Sequence, residues 1–404
     1  MFQTFETAPR RHAAALLLAL SAAVIAACGG GGDAGTVTTA GVTEKATAYA
    51  AGPISGFGSV IVNGTRFDDS KAVVTDDDDR ARTRDHLRLG MMAEVDARAL
   101  SAASGTGEAL RIRYGSEIVG PIDAAPTSTT LQVLGQTIKV TDTTVVDDTL
   151  VGGLAALKVG DVVEIHAQFD AATQTYTATR IESAAGATTY KLRGTVAGLN
   201  TAAKTFTLGG QVISYGGIAA ADLPAGLADG QRVRVRLQTT KNTAGQWVAT
   251  TVRTGVRKVE DRAEGHVRGA ITVFANTASF EIDGLKVNAT TASFPDGTTG
   301  VVLGAVVEVE GAIVDGVLVA TKVEVDSKHA KERHGIELHG LVSSLDTTAK
   351  TFMLRGVKVS YGGAGLTWRN GVEGDLADGK RVEIKGTPSA DRTQLVATAI
   401  KFES

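Results

Sequence analysis

The sequence is poor in the residues on which several protein classes depend. A single cysteine, Cys28, in 404 residues excludes an intrachain disulfide framework and any cysteine-based zinc cluster. Aromatic residues make up 5% of the chain, with two tryptophans, few for a protein that stacks bases or sugars. The 41 basic and 44 acidic residues nearly cancel, at a net charge of −3, so there is no basic field and nucleic acid is not an expected partner. No His-Glu-x-x-His helix and no Gly-x-Ser-x-Gly elbow occurs, which removes the common zinc-hydrolase and serine-hydrolase patterns. Gly374 to Lys380 has the spacing of a phosphate loop, but Arg381 replaces the hydroxyl residue that would hold magnesium. It also leads into a strand pattern rather than a helix. The expectation is a protein that is not an enzyme and carries no cofactor and no metal.

What the chain does have begins at its N-terminus. Arg10 and Arg11 precede an apolar run from Ala13 to Ala27, broken by Ser21 alone. A transmembrane helix needs about 20 such residues, so the run fits the apolar core of a secretory signal peptide. It ends in Ile25-Ala26-Ala27-Cys28, which resembles the bacterial lipobox, where the cysteine is lipidated and becomes the new N-terminus. Cys28 is therefore the expected lipidation site and the membrane an expected partner. The flanks of Arg10-Arg11 do not match a twin-arginine export signal. Gly29 to Gly32 and a Gly/Ala/Thr-rich stretch follow, a composition that reads as a flexible tether over 28–50. Glycines rather than aspartate after the cysteine favour the outer membrane by resemblance to lipoprotein sorting rules.

Glycine, at 48 residues, is in excess because the chain repeats. Gly52, Gly120, Gly194, Gly269 and Gly340 each stand two residues before Ile or Val, at intervals of 68 to 75 residues. A second column, Gly64, Gly135, Gly210, Gly284 and Gly356, splits two alternating runs. Asn63-Gly64 and Asp283-Gly284 predict type I′ hairpins, whose two central residues need positive φ. A third column, Gly90, Gly160, Gly230, Gly304 and Gly379, precedes another alternating strand, and Ala-Thr strands such as Val319-Ala320-Thr321 close the units. Each unit thus predicts five short strands with a loop or short helix between the third and fourth. That is the order of an OB-like barrel. The expected fold is all-β: five such barrels over 51–114, 115–186, 187–259, 260–332 and 333–404, after a signal peptide over 1–27. Units one and two join almost without a linker. The charged joints around Arg257–Glu264 and Lys328–His334 read as looser.

Gly56-Phe57-Gly58-Ser59-Val60-Ile61-Val62-Asn63-Gly64, together with Leu134-Gly135-Gln136-Thr137 and Leu157-Lys158-Val159-Gly160-Asp161-Val162-Val163-Glu164, resembles bacterial lipoproteins carrying tandem copies of domain-of-unknown-function family 5666. Units one and two carry the resemblance, unit four does so loosely, and units three and five depart at the Gly-Phe-Gly segment. The resemblance implies no activity.

Several clusters invite chemistry. Asp68-Asp69 and Asp76 to Asp79 crowd one loop, without the glycine and bidentate glutamate of a calcium loop. They read as a solvated acidic loop with Arg80, Arg82 and Arg84 as counter-charges. His329, His334 and His339 are five apart, on no common helix face. Glu94, Glu164, Glu308 and Glu383 recur at one place in the fourth strand, as the outward face of an alternating strand does. Tyr215 and Tyr361, each before two glycines, are candidates either to stack a sugar ring or to cap the barrel. Arg232, Arg234 and Arg236 alternate with valines, so their guanidiniums share one strand face about 6.7 Å apart. That face either meets an anionic polymer or is a solvated surface. Two functions remain open: a scaffold or spacer that docks an envelope protein, and a binder of glycans or other anionic envelope polymers.

Overall fold

The computed structural model describes residues 36–39, 42–100, 105–147, 150, 152–256, 258–326 and 335–403. Cys28, the signal peptide, His329 and His334 lie outside them. Among the described residues the chain is all-β, with short 3-10 turns as its helical elements.

Unit two shows how the glycine columns become a barrel. Its strands are Ile118–Ala124, Thr130–Val133, Gln136–Lys139, Val162–Asp170 and Thr175–Ser183. The first pairs with the second and the fourth, the second with the third, the third in parallel with the fifth, and the fifth with the fourth. The circle 1-2-3-5-4-1 is the OB order. The corresponding pairs recur in unit one, unit four and unit five. Unit three follows the same path with its opening strand divided into Tyr190–Thr195 and Ala197–Asn200. The connection between third and fourth strands carries a 3-10 turn in units one, two, three and five.

The second glycine column does what its chemistry requires. Gly64, Gly135, Gly210, Gly284 and Gly356 all have φ between 69° and 89°, and the residue before each is also left-handed. Both central positions of a two-residue type I′ hairpin are therefore occupied in every unit. The fourth strands alternate as expected. Val163 and Ile165 are fully buried while Glu164 between them faces outward.

The units are not beads on a string. The opening strand of unit one, Ala48–Phe57, pairs along its first half with the fourth strand of its own barrel and along its second half with the hairpin. Each half leaves one edge, and a bare edge invites another strand. Ala48–Ala51 takes Glu264–Val267 of unit four in parallel, and Gly56–Phe57 takes Glu337–Leu338 of unit five. The second junction requires glycine: a Cβ on Gly56 would lie 2.2 Å from the Glu337 carbonyl oxygen. Units two and three join by antiparallel pairing of Ile118–Val119 with Lys191–Leu192 and share one hydrophobic core. Residues 34–404 form one compact unit.

Two expectations are corrected here. The joint after unit three is not loose where it is described: Val259 is buried and Arg262 is 3% exposed, its guanidinium 2.8 Å from Asp96. Nor does the tether reach residue 50, because Thr36–Thr39 pairs with Val42–Lys45 and the opening strand of unit one starts at Ala48. In both places backbone that reads as polar and featureless is held by a neighbouring strand, a contact that composition does not encode.

Candidate functional site

The arginine face of unit three is not a surface. Arg232 and Arg234 are 9% and 7% exposed. Their strand, Arg232–Lys241, lies beside Tyr190–Thr195, so Lys191 and Arg193 stand across from Arg236 and Arg234. Five cations on one sheet face repel each other unless carboxylates meet them. The loop of unit one supplies them. Asp77 accepts from Arg234 at 2.7 Å and Lys191 at 3.1 Å, and Asp78 accepts from Arg234 at 3.0 Å and from Arg236. Glu117 and Asp283 hold Arg232 and Arg193 at 2.9–3.2 Å. Arg232 also lies over the Phe169 ring, 5.0 Å from its centroid.

The binding reading of Arg232, Arg234 and Arg236 is thereby overturned, and so is the solvated reading of the acidic loop at Asp77 and Asp78, whereas Asp68 and Asp79 are exposed. Each charge cluster is the other's partner. Burial raises the pKa of Asp77, but Lys191 and Arg234 outweigh it and hold the carboxyl well below the usual range. Burial opposes the charge on Arg193, and Glu117 and Asp283 more than restore it. The nearer counter-charges are present as read: Arg82 pairs with Asp76 at 2.7 Å, Arg80 with Asp78 at 3.7 Å and Arg84 with Asp69 at 3.8 Å.

Tyr215 and Tyr361 are likewise removed from sugar stacking. They are 5% and 4% exposed, packed on Phe206 and Phe352 with centroids at 5.6 and 5.8 Å. They cap their barrels with their rings packed on core aromatics, and the Lys350 ammonium lies over the Tyr361 ring, 5.6 Å from its centroid. His339 is buried among Glu337, Glu403 and Arg66.

A cationic surface that remains open lies where units one, two and five meet. A cleft of about 500 Å³ is lined by Arg84, Arg88, Arg180, Arg355, Lys358 and Arg392, with Asp69, Asp85 and Asp147 as its carboxylates. Six cations against three anions leave an excess of positive charge. Arg180 is the fixed member, 3% exposed and tied to Asp147, Glu182 and the Leu89 carbonyl. Arg355 and Arg392 are aimed by their Nε atoms, which donate to the carbonyls of His339 at 2.6 Å and Thr141 at 2.9 Å. Arg355, Lys358 and Arg392 enter no ion pair with a described residue. In OB folds the loop between the fourth and fifth strands is a recurrent ligand-binding element. Here that loop of unit five supplies Arg392, and its hairpin supplies Arg355 and Lys358.

The sequence reading missed this cleft because its residues come from three units. One signal was available. Arg355 holds φ 50° where units one and four have Asn63 and Asp283, and Arg392 holds φ 61°.

Comparison with known proteins bears on the repeats. Residues 119–182, 268–324 and 339–401 match a family model described as a domain of unknown function, DUF5666. The three matched segments are consistent with repeats of that domain. They fall in units two, four and five, so unit five is included despite its altered Gly-Phe-Gly segment, and unit one lies outside the matched segments. No curated protein matches the chain. Among solved structures, Drosophila Unr CSD456 is similar at 15% identity, over 54% of this chain and 98% of that one, with a TM-score of 0.13. The OB order of the matched segments rests on their own strand pairings.

Proposed function

We propose that the chain is a non-enzymatic lipoprotein of the bacterial envelope, anchored to the outer membrane through Cys28, that binds an anionic envelope polymer in the cleft between units one, two and five. The observation that carries this reading is the surplus of cations around an open cleft of about 500 Å³, a size typical of ligand sites. Guanidiniums held by their Nε atoms keep their terminal nitrogens directed, which suits bidentate contact with phosphate, sulfate or carboxylate. The spacer reading is less well supported, because units whose strands pair across their boundaries form one compact body rather than a chain of separable modules.

The test is binding of the processed chain to lipopolysaccharide and to heparin across a salt series. The expected result is salt-sensitive binding, weakened at least about tenfold when Arg355, Lys358 and Arg392 are changed together to Gln. Equal binding by wild type and variant, or no binding at low salt, overturns the proposal. Membrane attachment is tested separately: Cys28→Ser should abolish palmitate labelling and release the chain from the membrane fraction.

A further inference from the structure

Glu164 and Glu182 stand directly opposite each other on the fourth and closing strands of unit two. Like charges in that register destabilise a sheet. Beside them is His166, 0% exposed. Its Nδ1 lies 2.8 Å from the Gly115 carbonyl oxygen, which can only accept, so Nδ1 carries the hydrogen. The Met92 amide, 3.4 Å from the same nitrogen, is the weaker contact. With Nδ1 donating to the Gly115 carbonyl, Nε2 lies on the other side of the ring and has no hydrogen-bond partner. It points at Glu182, whose Oε1 is 3.7 Å away. That gap is too long for a hydrogen bond.

A buried nitrogen without a partner is costly and calls for an explanation. We infer that Glu164, His166 and Glu182 form a binding site for a divalent transition metal, Zn²⁺ by preference. One ligating atom from each residue lies within 4.8 Å of the others. Zinc–nitrogen and zinc–oxygen bonds of about 2.0–2.2 Å place neighbouring tetrahedral ligands about 3.3 Å apart. Side-chain movements on the order of 1 Å bring the three atoms together at that scale. The supporting contacts of a metal site are already in place. The Gly115 carbonyl fixes the histidine tautomer, and Arg180 donates to Oε2 of Glu182 at 2.9 Å, leaving Oε1 for the metal. Imidazole with two carboxylates suits zinc and, more weakly, manganese.

Unit five supplies the contrast. Glu337, His339 and Glu383 make a similar group, but Arg66 of unit one fills it. Its guanidinium sits 2.7 Å from Nε2 of His339 and bonds Glu337, while Glu403 takes Nδ1 at 2.9 Å. There a side-chain cation already neutralises the carboxylates. In unit two, among the described residues, no cation lies between the carboxylates, and Nε2 has no hydrogen bond, with Glu182 Oε1 3.7 Å away.

The experiment is calorimetric titration of Zn²⁺ into the chelator-treated processed chain, beside Glu164→Gln and His166→Asn, with thermal melting of each metal-free protein as a check on folding. Wild type should bind one equivalent that both variants lose or bind at least about tenfold more weakly. Equal binding by wild type and variants, or no binding at 100 µM Zn²⁺ (roughly the weakest affinity a functional site would show), overturns the inference. Should a variant fail to fold, nitrogen NMR of the wild-type histidine decides. A Zn²⁺-dependent shift of the His166 Nε2 resonance supports the site; an imidazolium insensitive to Zn²⁺ overturns it. This outcome is independent of polymer binding, because no exposed cleft cation is altered.

Discussion

Two groups of basic side chains in this molecule have opposite fates. At the junction of units one and three, Arg234 and Arg236 meet Asp77 and Asp78, and Glu117 and Asp283 complete the pairing around Arg232 and Arg193. At the junction of units one, two and five, Arg355, Lys358 and Arg392 face an open cleft. The first group is nearly dry, paired and structural. The second is wet and in surplus. Charge alone does not mark a binding surface, because the fold can supply its counter-charges from another unit.

The contrast is broken most severely at Asp77. Asp77→Ala strands Lys191 in a buried setting and leaves Arg234 with Asp78 as its carboxylate, and removing one partner of a buried pair costs about 3–5 kcal/mol. Denaturant unfolding should show a loss of that order, with Arg234→Gln close behind. Loss of less than about 1 kcal/mol would mean that the junction is hydrated and the two regions are alike.

Acid should separate the regions next. Because the Asp77 carboxyl titrates lower in the folded chain than the ordinary value of about 3.9, its ionisation favours folding above that pH. The contribution is lost as pH falls from about 4 toward the depressed folded value. Stability of the processed chain should decline across that range, and less so in Asp77→Asn. Parallel acid unfolding of wild type and variant would remove Asp77 from the account.

The smallest effect is expected in the cleft. Arg84→Gln and Lys358→Gln, made singly, should each change stability by no more than about 0.5 kcal/mol, as exposed charges do. A loss comparable with Asp77→Ala would show that these side chains hold units together and are not available to a ligand.

The sequence by itself determined the barrel. Three glycine columns announced the repeat, and at the hairpins the requirement for positive φ at two successive positions left little freedom. Asn63-Gly64 and Asp283-Gly284 therefore read correctly from local rules. Alternation did the same for Val163, Glu164 and Ile165, because a strand with one buried face fixes which residues enter the core. Only the tertiary structure decided what the outward faces meet. Period-two patterning places Arg232, Arg234 and Arg236 together but cannot distinguish solvent from the carboxylates of Asp77 and Asp78, more than 150 residues away. Nor can it distinguish the Tyr215 ring as a cap from the same ring as a sugar platform. The cleft cations come from units one, two and five, so no local window contains them. Local backbone preference is written in neighbouring residues, whereas the dielectric and the partner of a charge are set by whatever the fold brings against it.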